Sequence, residues 1–317
     1  MNCCTQFLCE CSAVVPELLL AGVAVLALTL SLTPLRYRPE SVYTVLWAQV
    51  AVLLFSFYLF LVKPSDYAGP IWSGMLNPNT GHDLARLALQ IIVLTLSWMC
   101  KRFCQIKQRL GLEYYGLLIA ASVALMFAVQ ASHFIMLFVA LETASLISVA
   151  LLALPRREGQ LSSAISYLVQ AGLSAVLMLW GLVLIYSATG TLAYDALSMK
   201  LFGNADIYAI TGVALVLASL GFKLGLFPFN YYLPAVYRNL TLPALGYLAT
   251  ASKFAGIVIL IDLLMEPLAG LWPYTIPVLK VAVIMTLVWG ALSALHQTEF
   301  RKLFALSGSV HAAFLVA

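Results

Sequence analysis

Residues 207–237 read IYAITGVALVLASLGFKLGLFPFNYYLPAVY, an apolar run that holds one lysine, Lys223, and two prolines, Pro228 and Pro234. A helix of roughly 20 apolar residues crosses a bilayer, so this run can span one with length to spare. A proline removes one backbone hydrogen bond, and its ring meets the carbonyl four residues earlier. The helix is therefore predicted to break at Pro228, with a second interruption at Pro234. In lipid, freed backbone groups persist only where protein or water covers them, and an ammonium five residues before the break needs the same cover. The stretch predicts an all-α polytopic membrane protein in which one helix is broken beside a buried cation, a device that recurs in transporters.

The rest of the chain agrees with that class. Of its 317 residues, 63% are hydrophobic and only 9% charged, and the mean hydropathy is +0.98, far from the balance of a soluble domain. Nine apolar runs of spanning length lie at about 16–34, 41–62, 84–100, 112–130, 133–153, 161–187, 207–237, 243–265 and 272–295, and a tenth begins near 302. Because that tenth run is still apolar at Ala317, the expectation is a C-terminally truncated chain, or remaining helices on another polypeptide. The first run lacks a positively charged leader and is long, so it reads as a retained helix rather than a cleaved signal.

Lys and Arg alternate between loops. Arg36, Arg38, Lys101, Arg102, Lys107, Arg109, Arg156, Arg157, Arg238, Arg301 and Lys302 all follow odd-numbered runs, which gives one side eleven of the 17 basic residues. Opposite loops carry mainly Lys63, Asp66, Asp83, Asp195, Lys200, Asp206 and Glu266. Short cytoplasmic loops retain an excess of Lys and Arg. The N-terminus is therefore expected outside the cytoplasm, in a bacterial inner membrane. The net charge of +4 has this topological origin, and no basic patch with interleaved aromatics suggests nucleic acid. Cys3, Cys4, Cys9 and Cys11 crowd the N-terminal tail, residues 1–15, but their spacing matches no standard zinc or iron–sulfur ligand set. A disordered tail without a metal site is expected there.

Three ionisable residues lie deep inside apolar runs: Glu142, Lys223 and Lys253. Glu142 is nine residues past the turn at Ala131-Ser132-His133, about 13 Å along a helix. Its neighbour Ser145 offers a hydroxyl and no charge, so a counter-ion must come from another helix. Lys253 lies ten residues past Pro243, again near mid-membrane. Intramembrane charges of this kind face a bundle interior, pair with each other and mark ion pathways. A proton or cation route and a static ion pair that fixes helix packing are both readings of this trio. His311, within the tenth run, is a further relay candidate, and Lys280 can snorkel to the interface.

The same residues resemble a known family. Leu-Glu-Thr-Ala-Ser-Leu at 141–146, Gly-Phe-Lys-Leu-Gly-Leu-Phe-Pro-Phe at 221–229 with Pro-Ala-Val-Tyr at 234–237, and Leu-Ala-Thr-Ala-Ser-Lys at 248–253 are similar to three of its helices. His-Gln-Thr-Glu-Phe-Arg-Lys-Leu at 296–303, followed by Ser307, Ser309 and His311, is similar to a later connection, and Pro-Glu-Leu-Leu-Leu-Ala-Gly at 16–22 fits one of its members. The family is the antiporter-like membrane subunits of proton-pumping NADH:quinone oxidoreductase, respiratory complex I.

The resemblance implies two inverted five-helix repeats, each with a broken helix. Residues 16–111 would be three N-terminal helices, 112–265 the first repeat and its proton half-channel, and 266–317 the start of a second repeat that is mostly missing. By position, Glu142 and Lys223 would be the coupled pair and Lys253 the central lysine. Departures from the pattern are Ser162 and Ser166, where the family carries a glutamate and a lysine, and Asn230 and Ala235, where it carries a histidine and an aspartate. The implied function is proton translocation coupled to electron transfer. NADH, FMN, iron–sulfur clusters and quinone are expected on other subunits, this chain holds no cofactor, and its partners are neighbouring membrane subunits and lipid. A cation/proton antiporter or hydrogenase-linked subunit, and a non-pumping structural subunit, are the alternatives.

Overall fold

A computed structural model describes residues 3–34, 39–62, 71–107, 111–154, 158–201 and 206–317. Their helices are α1 (Cys3–Ser31), α2 (Pro39–Val62), α3 (Thr80–Lys107), α4 (Leu112–Val129), α5 (Phe134–Ala153), α6 (Glu158–Thr189), α7 (Tyr194–Leu201), α8 (Ile207–Leu224), α9 (Leu233–Tyr237), α10 (Leu242–Ala249), α11 (Ala251–Met265), α12 (Trp272–Leu295) and α13 (Phe300–Val316). Among the described residues there are isolated β-bridges and no strands, and nine segments are long and apolar enough to cross a membrane. The chain is an integral, multi-pass membrane protein. Arg36, Arg38, Lys63, Asp66, Arg109, Arg156 and Arg157, which carry much of the loop-charge pattern, lie outside the described residues.

Several elements differ from their expected form. Helix α1 already runs from Cys3, so the tail expected to be disordered is the beginning of this helix; the side chains of Cys3, Cys4, Cys9 and Cys11 lie outside the described residues. Between the sixth and seventh spans, α7 was expected as loop. Its Lys200 Nζ donates to the Thr189 carbonyl at 2.6 Å, which ties the short helix to the end of α6. The α7 end of the bundle is knitted further by the turn between α4 and α5. Ser132 Oγ donates to the Gly74 carbonyl at 2.8 Å, and Tyr194 N donates to the Ser132 carbonyl at 3.0 Å.

Without water, apolar surface gains little by meeting another helix rather than lipid, so close packing and hydrogen bonds must hold the bundle. Helices α6 and α8 cross where a Cβ on Gly181 would lie 2.6 Å from the Gly212 carbonyl, and one on Gly212 would lie 2.7 Å from the Gly181 carbonyl. Both positions need the smallest side chain. About two turns beyond the crossing, Ser174 Oγ sits 3.0 Å from Ser219 Oγ. Two buried glutamines join α2 to α3 in the same way: Gln49 donates to Ser97 at 3.2 Å and Gln90 to Ser56 at 3.1 Å. Helix α4 is the most enclosed span and α12 the least.

Candidate functional site

Helix α8 stops at Leu224, four residues before Pro228 and not at it. The reason is steric, because Leu224 owns the carbonyl that a helical Pro228 would strike. Gly225 takes the left-handed conformation, φ 70°, and its N–H returns to the Gly221 and Phe222 carbonyls, while Leu226 N donates to Gly221 at 2.8 Å. This closure suits glycine, whose lack of Cβ makes positive φ free of strain. A Cβ at 225 would also come within 2.6 Å of Leu233. Beyond it, Phe227 N donates to Thr286 Oγ1 on α12 at 2.7 Å, and Tyr232 Oη donates to the Phe222 carbonyl at 3.3 Å. The freed backbone is thus covered by neighbouring helices, as lipid requires. The Phe227–Pro228 bond is cis. Pro234 was expected as a second interruption. It instead lies in the first turn of α9, where the missing N–H has no intrahelical partner to lose.

The break leaves Lys223 in the last turn of α8 and partly buried. Its Nζ donates to the Leu141 carbonyl at 3.1 Å and to Ser145 Oγ at 2.5 Å, both on α5. Ser145 in turn donates to Leu141 at 2.9 Å. Glu142 lies on the same helix, half-buried, close enough for its charge and that of Lys223 to act on one another. Among the described residues it forms no ion pair within 4.0 Å. The expected pair is therefore loose, and a hydroxyl and a carbonyl make the direct contacts.

Lys253 is buried, 5% exposed, and its Nζ has no hydrogen-bond partner among the described residues. Its span, expected to be uninterrupted, bends at Thr250, where α10 gives way to α11 (φ −115°, ψ −68°). Thr250 Oγ1 donates back to the Gly246 carbonyl at 2.7 Å, a local bond that competes with the helix and bends it. Between Lys223 and Lys253 lies a cavity of about 10 Å³, lined also by Tyr167, Tyr232, Leu233, Tyr237, Leu248 and Ser252. That is the lower limit for one water molecule. Stacking of Phe222 on Tyr232, with centroids 4.9 Å apart, and contact of Phe222 with Tyr167 at 6.0 Å hold this wall together.

The structure thus gathers Glu142, Lys223 and Lys253 from three spans, with Pro228 in the break beside them and Pro234 in the first turn of the helix that follows it. His311 is exposed on α13 and is not among the cavity-lining residues. The wall residues Tyr167, Tyr232, Tyr237 and Ser252 escaped the sequence reading, since a hydroxyl in a mostly apolar run gives no signal of where it points.

A second charged cluster also escaped it. Arg86, inside the third apolar run, donates through Nη2 to Glu17 on α1 at 2.5 Å and through Nη1 to Asp83 at 2.7 Å, and Gln130 at the end of α4 donates to Glu17 at 2.9 Å. Nearby His82 places Nδ1 2.6 Å from the Asn77 carbonyl and Nε2 2.5 Å from Asp262 Oδ2. Since a carbonyl only accepts, Nδ1 donates to Asn77, and the contact between Nε2 and the Asp262 carboxyl needs one further proton. The signal for this cluster was Arg86 itself, a charge within a span.

Residues 131–317 match the family described as NADH:quinone oxidoreductase/Mrp antiporter, transmembrane. NADH-quinone oxidoreductase subunit N 1 of Opitutus terrae is 30% identical over 97% of this chain and 63% of its own length. Subunit N 2 of Syntrophobacter fumaroxidans is 32% identical over 69% of this chain and 46% of its own. A chain in the structure of respiratory complex I from Thermus thermophilus with bound aureothin superposes with a TM-score of 0.78 at 25% identity, covering 95% of this chain and 63% of that one. A chain of the Mrp complex from Dietzia superposes at 0.80 with 19% identity over 96% of this chain and 58% of its own, a likeness of fold alone. This chain therefore spans less than two thirds of the length of these relatives.

Proposed function

The chain belongs to the NADH:quinone oxidoreductase/Mrp antiporter transmembrane family, and from that premise we propose that it is a proton-translocating membrane subunit of NADH:quinone oxidoreductase. It would act in a bacterial inner membrane with its N-terminus outside the cytoplasm, beside other membrane subunits of the complex. NADH, FMN, iron–sulfur clusters and quinone are assigned to partner subunits, and no redox step is placed on this chain.

One observation carries the reading: Lys223, partly buried, and Lys253, buried and without a hydrogen-bond partner among the described residues, line one cavity of the size of a single water. Lys223 holds its proton while Glu142 is near and charged, because an opposite charge stabilises the ammonium. When the carboxylate withdraws or is neutralised, burial favours the neutral amine. The proton leaves Nζ for the cavity water, and that water passes a proton to a neutral Lys253. Each transfer conserves one proton and needs no bond to carbon. The loose Glu142–Lys223 geometry supports this over a static ion pair, since a pair built for packing would be in contact.

The test uses the assembled complex in membrane vesicles. Lys223→Ala and Glu142→Gln should each lower protons pumped per electron, because a positioned proton-transfer group contributes roughly 10²–10⁴-fold to the rate of its step, with the subunit still assembled. Unchanged stoichiometry in both variants would rule the mechanism out.

A further inference from the structure

Lys253 is bounded on one side by the water cavity and on the other by α13. At Gly308, on the face of α13 turned to α11, a Cβ would lie 3.1 Å from Lys253 Nζ and would meet nothing else within 4 Å. An ammonium has three protons to donate, yet Nζ has no acceptor among the described residues. No hydrogen bond from the described residues fixes where the tip rests, and the approach of α13 at Gly308 bounds it.

We propose that Gly308 is a positioning residue for Lys253: by carrying no side chain, it lets the ammonium stand against α13 and so sets its reach to the water site shared with Lys223. This rests on the reading of Lys253 as a proton carrier. A methyl group at 308 would push the flexible lysine tip by a few tenths of an ångström toward the cavity and would leave the backbone of α13 where it is. Helix α13 also touches the break, since a Cβ on Gly225 would lie 3.7 Å from Ser309 Cβ. One helix thus contacts Lys253 and the break two residues past Lys223.

Three variants of the chain in its complex test this. Gly308→Ala should assemble and lower pumping per electron by about threefold, a small share of what an ångström of misplacement does to a positioned group. Gly308→Ser, although larger, should recover at least half of that loss, because its hydroxyl can accept a hydrogen bond from the ammonium. A role in packing alone predicts the reverse order. In a Lys253→Ala background, Gly308→Ala should raise the melting temperature of the complex, since alanine is the better helix former and the group it would strike is gone; beside Lys253 it should give no such rise.

Wild-type pumping by Gly308→Ala, serine acting worse than alanine, or an equal melting shift in both backgrounds would each overturn the proposal. If Gly308→Ala fails to assemble, recovery of assembly in the Lys253→Ala background supports the contact, and continued failure overturns it. Normal pumping by Lys253→Ala alone sinks the carrier role instead, which keeps the two failures distinct.

Discussion

At the α7 end of the bundle, Arg86 lies between Glu17 and Asp83 with both carboxylates in contact and Gln130 completing Glu17. Midway along their spans, Lys223 and Lys253 have no carboxylate in contact among the described residues, and both line a water-sized cavity. The two clusters draw on the same kinds of residue in equally apolar surroundings. The first is closed: every charge meets its opposite, so moving any member costs free energy and the helices α1, α3 and α4 are held in place. The second is open, with charges that interact through space and hydroxyls that can bond to either protonation state. On the proposed reading, contact geometry rather than burial separates a structural charge from one whose proton can move.

That contrast is broken most severely at Arg86. Arg86→Met removes the cation between two buried carboxylates and should destabilise the subunit by about 3–5 kcal/mol, seen as loss of the assembled subunit and a lower melting temperature. Lys223→Ala should leave melting nearly unchanged while pumping falls. Replacing Glu17 and Asp83 with leucine in the Arg86→Met background should restore assembly, because a fully apolar triad tolerates burial that a broken one does not. Comparable destabilisation by Arg86→Met and Lys223→Ala would erase the distinction between the clusters.

A smaller effect should come from the cover over the broken helix. Thr286→Val keeps the shape and removes the acceptor of Phe227 N–H, so it should cost about 1–3 kcal/mol as an unsatisfied buried donor. Melting of the complex would show it, and Thr286→Ser should retain most of the stability.

The smallest effect lies outside the membrane spans. His133 caps α5 by accepting the Ile135 N–H through its ring nitrogen at 3.2 Å, which requires that nitrogen to be unprotonated. Burial holds its pKa below the ordinary 6.5, so the folded state binds fewer protons than the unfolded one just below that pH. Its stabilising contribution is present above pH 6.5 and is lost as the pH falls through the folded value. His133→Ala should cost roughly 0.5 kcal/mol at pH 8, at the low end for a cap, and should remove this acid step from the melting profile.

Glu142, Lys223 and Lys253 were legible because charge within an apolar run is conspicuous whatever surrounds it. The break was legible in kind and misplaced by four residues, since a proline declares the clash but the helix ends at the residue that would be struck. The bend at Thr250 carried no proline to announce it. Arg86 was conspicuous by the same criterion as the lysines, but its partner Glu17 stands at the edge of the first run, where a carboxylate is unremarkable. Gly308 and the tyrosines of the cavity gave no signal, as glycine and tyrosine occur throughout membrane helices for many reasons.

Hydropathy and helix period act over about 20 neighbouring residues, and these local quantities determined the number of spans, the depth of each buried charge and the presence of a broken helix. Which charges touch was decided by helix crossings that join residues far apart: Arg86 to Glu17 across 69 positions, Gln130 to Glu17 across 113, and His82 to Asp262 across 180. Whether a buried charge is held or free to change its proton depends on atoms within about 3 Å of it, the range of a hydrogen bond, and those atoms are brought there only by the packing of the whole bundle.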